Sequence, residues 1–186
     1  MGEAMPESIK LNNEGQTACP VYACCLFVRA GDEERAAAEI AEKTGCSVLV
    51  PMIDREELHS GSWVRITKKL LPGYVFLYSD SPIASESMTG TNGVLKVLKY
   101  TDGRCELVGE DRRFAEWIYD NGGTVGVSTA VKEGDRIRVI DGPLLDYCGS
   151  ITEVKRKKRT AKVSISFGEI TREIWMSFEW LKTEEG

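Results

Sequence analysis

Five consecutive cations, Lys155-Arg156-Lys157-Lys158-Arg159, stand where the chain must reverse direction between two strand-like stretches. Upstream lie Gly134-Asp135-Arg136-Ile137-Arg138-Val139-Ile140-Asp141-Gly142-Pro143 and Gly149-Ser150-Ile151-Thr152-Glu153-Val154, and downstream Ala161-Lys162-Val163-Ser164-Ile165-Ser166-Phe167-Gly168. Apolar and polar residues alternate through these runs, and Gly and Pro punctuate them, as in strands with one buried face. The cations therefore share a tight turn, where they repel one another unless an anionic partner such as a phosphate backbone accepts them. The chain as a whole is acidic, with a formal net charge of −5. A local block of the opposite sign requires a local reason.

Charge divides the chain in the same place. Residues 131–182 carry 11 Lys and Arg against 8 Asp and Glu, whereas residues 1–130 carry 13 against 19. Such asymmetry predicts two modules with different partners, and 186 residues suffice for two small domains. Residues 1–20 are polar and irregular and are expected to form a disordered tail. Tyr22 to Arg29 reads as a buried strand, and Asp32 caps a helix to about Thr44, with Glu33 and Glu34 in its first turn and Gly45 as its stop. A strand at 48–51, a polar turn from Asp54 to Gly61, a strand from Trp63, a break at Pro72-Gly73 and the strong strand Tyr74–Tyr78 predict one antiparallel sheet. A short helix is expected over 82–88, a strand over 94–100, and a helix over 109–119 with Phe114, Trp117 and Ile118 on one face. This order gives an α+β domain over 21–121, a linker over 122–130 and a small all-β barrel over 131–183.

Several function classes are disfavoured. No apolar run is long enough to span a bilayer, and the start lacks a basic segment followed by an apolar core, so a cytoplasmic, non-membrane protein is expected. The six cysteines fit no zinc spacing; Cys24-Cys25 lie within an apolar strand and read as small buried hydrophobes. The single histidine, His59, sits in a polar run expected to be a hairpin tip, with no neighbour for a nucleophilic relay. Paired carboxylates, a phosphate-cradling glycine loop and a metal cluster are all missing from the sequence. No enzymatic activity, cofactor or metal is expected.

Two motifs carry a resemblance. Gly134-Asp135-x-Ile137-x-Val139-x-x-Gly142-Pro143, with Gly149-x-Ile151-x-x-Val154 and Ala161-x-Val163-x-Ile165, resembles the KOW motif of small SH3-like barrels. Lys69-Leu70-Leu71-Pro72-Gly73-Tyr74-Val75-Phe76 resembles the N-terminal signature of NusG-type transcription factors, and Arg29-Ala30-Gly31-x-Glu33 and Val50-Pro51 fit that domain too. The chain departs from the family at Val21-Tyr22, where Trp-Tyr is usual, and in the cationic turn at 155–159, which is mixed or acidic in housekeeping members. These departures look most like the specialised, operon-restricted LoaP subgroup of antiterminators, which is associated with structured leader RNA.

The resemblance implies a monomer whose N-terminal domain docks on the clamp helices of RNA polymerase. Leu71, Tyr74 and Phe76 carry over to that contact, with Leu71 kept at the sheet edge by the break at Pro72-Gly73; the alternative is that they pack helices onto the sheet. Arg65, Lys68 and Lys69 carry over to non-template DNA. The basic turn, Lys155 to Arg159, with Lys162 on the following strand, would hold an RNA hairpin of a leader transcript. Five such cations predict a salt-dependent loss of affinity on the order of 10³-fold between 50 and 200 mM. Phe167 occupies the position that meets a ribosomal protein or termination factor in housekeeping members, and strand parity equally allows it a core role. Trp175 alternates out of phase with Ile174 and Met176, and either meets a partner or packs on Trp180. Two other readings remain open: a general elongation factor coupling polymerase to the ribosome, and a ribosome-associated KOW protein without polymerase contact.

Overall fold

The computed structural model describes residues 19–168 and 170–181. All but the last two residues of the expected tail fall outside them. In chain order the elements are β1 (Tyr22–Val28), α1 (Glu33–Thr44), β2 (Ser47–Leu49), β3 (Met52–His59), β4 (Ser62–Lys69), β5 (Tyr74–Ser79), β6 (Val94–Val97) and α2 (Gly109–Asp120), followed by β7 (Thr124–Val125), β8 (Ser128–Glu133), β9 (Arg136–Asp141), β10 (Ile151–Lys155), β11 (Thr160–Phe167) and β12 (Ile170–Trp180). They form a four-stranded sheet in the order β2-β5-β1-β6, a three-stranded sheet β4-β3-β7, and a five-stranded sheet β10-β11-β12-β8-β9. The fold class is α+β, an antiparallel sheet with helices followed by a curled all-β unit.

The two apolar runs become the central strands because both their faces are covered. On β1 and β5, Cys24, Leu26, Val28, Val75 and Leu77 pack under α1 with Ala36, Ala37 and Ile40. The alternate residues Ala23, Cys25, Tyr74, Phe76 and Tyr78 join Phe114, Ala115 and Ile118 of α2 on the opposite face. A strand buried on both sides reads as a continuous apolar run rather than an alternation. The adjacent cysteines thus point into different core layers, and burial pushes the Cys25 thiol well above its ordinary pKa.

Four expectations are corrected. The segment 54–61 does not turn the chain; it is the strand β3, which pairs with β4 from Met52↔Lys69 to His59↔Ser62. The reversal is a two-residue turn with left-handed Ser60 and Gly61 (φ 48° and 85°), a geometry that matches strand twist. Its polar composition misled because the hairpin is laced by cross-strand polar pairs, Lys68 with Glu57 at 2.7 Å and Thr67 with Asp54 at 2.7 Å. The hairpin also forms its own sheet instead of joining β5, and the expected helix at 82–88 is a single 3₁₀ turn at Ser85–Met88. Finally, the segment read as a linker is tied into sheets at both ends. β7 runs parallel to β3, with Met52↔Thr124 and Ile53↔Val125, and β8 runs parallel to β12. Local sequence carries no signal for such long-range parallel pairing.

The two halves of the N-terminal signature meet at one buried carboxylate. Glu33 opens α1, and its Oε2 accepts from the Gly31 N–H at 2.7 Å and from Lys69 Nζ at 2.5 Å. Its Oε1 accepts from the Gly73 N–H at 2.9 Å. Asp32, expected to cap the helix, instead pairs with Arg35 at 2.9 Å and Arg29 at 3.5 Å and makes no capping bond. Gly73 is required for the arrangement: its φ is +84°, and a Cβ would sit 3.1 Å from the Phe27 ring and 3.3 Å from the Val28 carbonyl. Gly142 is held more tightly still, since a Cβ there would lie 2.7 Å from Ser128 Cα.

Burial alone would raise the Glu33 pKa, but Lys69 and the two backbone donors prevail and lower it from 4.5 to about 2. A depressed folded-state pKa stabilises the fold above the ordinary carboxylate pKa, and that contribution vanishes as pH falls through the folded value. Glu33→Gln is therefore expected to cost roughly 3 kcal/mol at neutral pH. Denaturant titrations of the two proteins should converge as pH is lowered from 4.5 toward about 2.

Candidate functional site

The basic pentad forms a compact turn. Arg156–Lys158 make one 3₁₀ turn, and Arg159 adopts a left-handed conformation (φ 50°, ψ 46°). Its N–H donates to the Arg156 carbonyl at 3.2 Å, and its own carbonyl accepts from Phe178 N–H at 2.9 Å. A left-handed arginine costs on the order of 1–2 kcal/mol, and its side chain has a use that glycine could not supply. The guanidinium lies over the Trp63 ring of β4, 4.4 Å from the centroid, and 3.7 Å from Glu56 Oε2 of β3. Beside it the Glu56 N–H donates to the buried Ser177 hydroxyl at 3.0 Å. Arg159 thus fastens the barrel to the hairpin.

The other cations differ in how far they are engaged. Lys162 bridges Glu153 at 3.0 Å and Glu173 at 3.3 Å, and these carboxylates raise its pKa. Lys155 approaches Glu153 at 3.5 Å and lies over the Trp175 ring at 4.1 Å, while Arg156 reaches Asp135 at 4.0 Å. Among the described residues neither Lys157 nor Lys158 has an ion-pair partner, and both are exposed. Trp175 packs under Lys155 and Lys162; Trp180 instead meets Phe178 and Lys132. Of the hairpin cations, Arg65 lies 3.9 Å from Glu56 and Lys68 pairs with Glu57. Lys69 is three-quarters buried between Glu33 and Glu34, where it holds α1.

The second group of residues is covered. Leu71, Tyr74 and Phe76 are buried, and Leu71 is not left open at the sheet edge but lines a junction that Phe167 of β11 enters from the barrel. Its ring centroid stands 5.2 Å from Phe76, 5.4 Å from Phe114 and 6.2 Å from Tyr74. Phe167 shares the inward parity of Val163 and Ile165, but at the strand's end that face points into the N-terminal half. Ile165, Ile174 and Ile170 surround the same junction. Polar contacts frame it: the Gly168 N–H donates to Asp111 Oδ1 at 2.6 Å, Trp117 Nε1–H donates to the Pro143 carbonyl at 3.3 Å, and Tyr147 packs on Trp117. One continuous core therefore spans both halves.

Sequence reading found the basic turn and the aromatic strand but missed what joins them. Trp63 and Ser177 look like ordinary strand residues, and Glu56 falls in the polar run read as a turn. Among the described residues no group of three or more His, Cys, Asp or Glu is placed to hold a metal ion, and no helix is long and apolar enough to cross a membrane.

A family model described as transcription termination factor nusG matches residues 24–113. The transcription termination/antitermination protein NusG of Thermus thermophilus is 29% identical over 164 residues, which cover 76% of this chain and 87% of that protein. The protein of the same name from Deinococcus radiodurans is 30% identical over 143 residues, covering 67% and 74%. A solved structure described as domain interaction in Thermotoga maritima NusG aligns with a TM-score of 0.48 at 17% identity, over 84% of this chain and 93% of that one.

Replacing Phe167 with alanine is expected to remove about 3 kcal/mol from the closed arrangement. Hydrogen exchange at the Gly168 and Glu56 amides, which bond across the junction, should then accelerate together by about two orders of magnitude.

Proposed function

The chain belongs to the NusG family of transcription termination/antitermination factors, and on that footing we propose that it is a specialised antiterminator that works through RNA polymerase and a structured transcript. The observation that carries this reading is the basic turn, in which Lys157 and Lys158 stand exposed and, among the described residues, without ion-pair partners, while Lys155, Arg156 and Lys162 beside them lie near barrel carboxylates. Two uncompensated cations at the tip of a turn, flanked by Lys155 and Arg156, suit the phosphates of an RNA hairpin. Nothing in this mechanism requires bond chemistry. The factor acts by holding a polymerase conformation that resists pausing and hairpin-driven release.

Leu71, Tyr74 and Phe76 are the residues proposed to dock on the clamp helices, with aromatic anchors in the role such interfaces favour. In the closed arrangement Phe167 occupies that surface. Docking therefore requires the barrel to swing away, and the affinity for polymerase is reduced by the fraction of molecules that are open. Opening also frees Phe167 and Ile170 for a second protein, a ribosomal protein or termination factor in the alternative reading. Arg65 and Lys68 remain at the hairpin surface for non-template DNA. Lys69 is committed to Glu33.

Titration of the full chain with a leader RNA hairpin across a salt series tests the RNA reading. Binding should fall steeply with salt, and Lys157→Ala with Lys158→Ala should weaken it and flatten the log–log slope by about two. Weak binding, equal for RNA and duplex DNA and indifferent to those changes, would instead favour the general elongation factor. In a polymerase pull-down, Phe167→Ala should bind more tightly than the parent chain, because it no longer has to open. A loss of binding in Leu71→Ala and Tyr74→Ala on that background would assign the docking face.

A further inference from the structure

Between the β3–β4 hairpin and the barrel lies a cleft of about 500 Å³, a volume within the roughly 300–1,000 Å³ typical of ligand pockets. Trp63 and Leu58 form part of the hairpin wall; Trp175, Lys155 and the exposed pair Lys157 and Lys158 form part of the barrel wall. Leu58 is 59% exposed, although it stands directly opposite Trp63 in the hairpin register. An apolar residue and two partly exposed indoles thus stand beside two exposed cations that, among the described residues, have no ion-pair partner.

We propose that this cleft is a nucleobase site, which receives an unpaired base from the loop of an RNA hairpin whose phosphates lie on Lys157 and Lys158. The proposal rests on the reading of the basic turn as an RNA-binding surface and extends it to a base-stacking platform on the hairpin. Aromatic faces next to a cationic track are the combination that binds single-stranded nucleic acid, because every base offers a π-face to an indole. The cleft wall also includes Glu57, a half-exposed carboxylate. A carboxylate repels a bare phosphate but accepts hydrogen bonds from the amino edge of a base. Bases within a duplex are stacked on each other and cannot reach the indoles, so the site distinguishes loop from stem. Its two walls belong to the two halves of the chain. A base seated there would lie beside the contact that Arg159 makes with Trp63 and Glu56.

The test uses the full chain, an RNA stem-loop, its stem as a blunt duplex, and the loop sequence as single-stranded DNA. The stem-loop should quench tryptophan fluorescence, and the duplex should not. Trp63→Ala and Trp175→Ala should each weaken stem-loop binding about tenfold, whereas Trp63→Phe should keep most of it. Leu58→Asp, an exposed change that leaves the core intact, should weaken binding by a similar factor and guards against a folding defect in the tryptophan variants. Unchanged affinity in all three disruptive variants, with Lys157→Ala and Lys158→Ala still harmful, would confine RNA to the turn and overturn the cleft alone. No salt-dependent RNA binding by the parent chain would overturn both readings. Equal binding of the loop as DNA, with the same dependence on both tryptophans, would overturn RNA as the ligand.

Discussion

Phe167 sits where the barrel meets the N-terminal sheet, and its ring is shared by three aromatic partners, Tyr74, Phe76 and Phe114, that belong to the other half of the chain. Removing that ring from its seat would expose a contiguous aromatic face on the sheet and another apolar patch on the barrel around Ile165 and Ile174. Each half therefore completes the core of the other. The Gly168–Asp111 bond lies beside this seat, while Glu56–Ser177 and Arg159–Trp63 fasten the opposite end of β11 to the hairpin. As hydrogen bonds and a cation–π contact, each contributes on the order of 1 kcal/mol.

The residues under Phe167 are those that the family resemblance assigns to polymerase. On the proposed assignment, a covered docking surface must meet two demands. The surface has to be apolar enough to bind a partner and sufficiently well matched to the barrel to remain covered without one. Glu33 makes this possible by keeping the surface rigid. It ties the start of α1 to the end of β4 and the start of β5 through Lys69 and Gly73, bonds that lie within the N-terminal half and do not involve the barrel. The buried carboxylate is strongly stabilising only because every donor around it is in place.

Much of this was readable from local pattern. The strands β1 and β5, both long helices and the inward parity of Val163, Ile165 and Met176 follow from apolar periodicity, because each depends on near neighbours. The hairpin β3–β4 was obscured because its stabilisation comes from pairs such as Lys68 with Glu57, which look like loop chemistry in one dimension. The parallel pairings of β7 and β8 were invisible because their partners are distant in sequence. At the site, the cations could be counted, but not which were already spent. Lys162 and Arg159 look equivalent to Lys157 until Glu153, Glu173 and Glu56 appear beside them.

Only Gly126 and Val127 separate β7, which is paired with the hairpin, from β8, which is paired with the barrel. A barrel dislodged from Phe167's seat therefore remains at very high effective concentration relative to it, on the order of millimolar or above for so short a tether. Any competitor for the covered surface must contend with rapid recapture, not with diffusion of a separate domain. The factor would consequently remember its partner only while the partner stays bound. On release it would reclose by itself, resetting without a chaperone, a nucleotide or a covalent change.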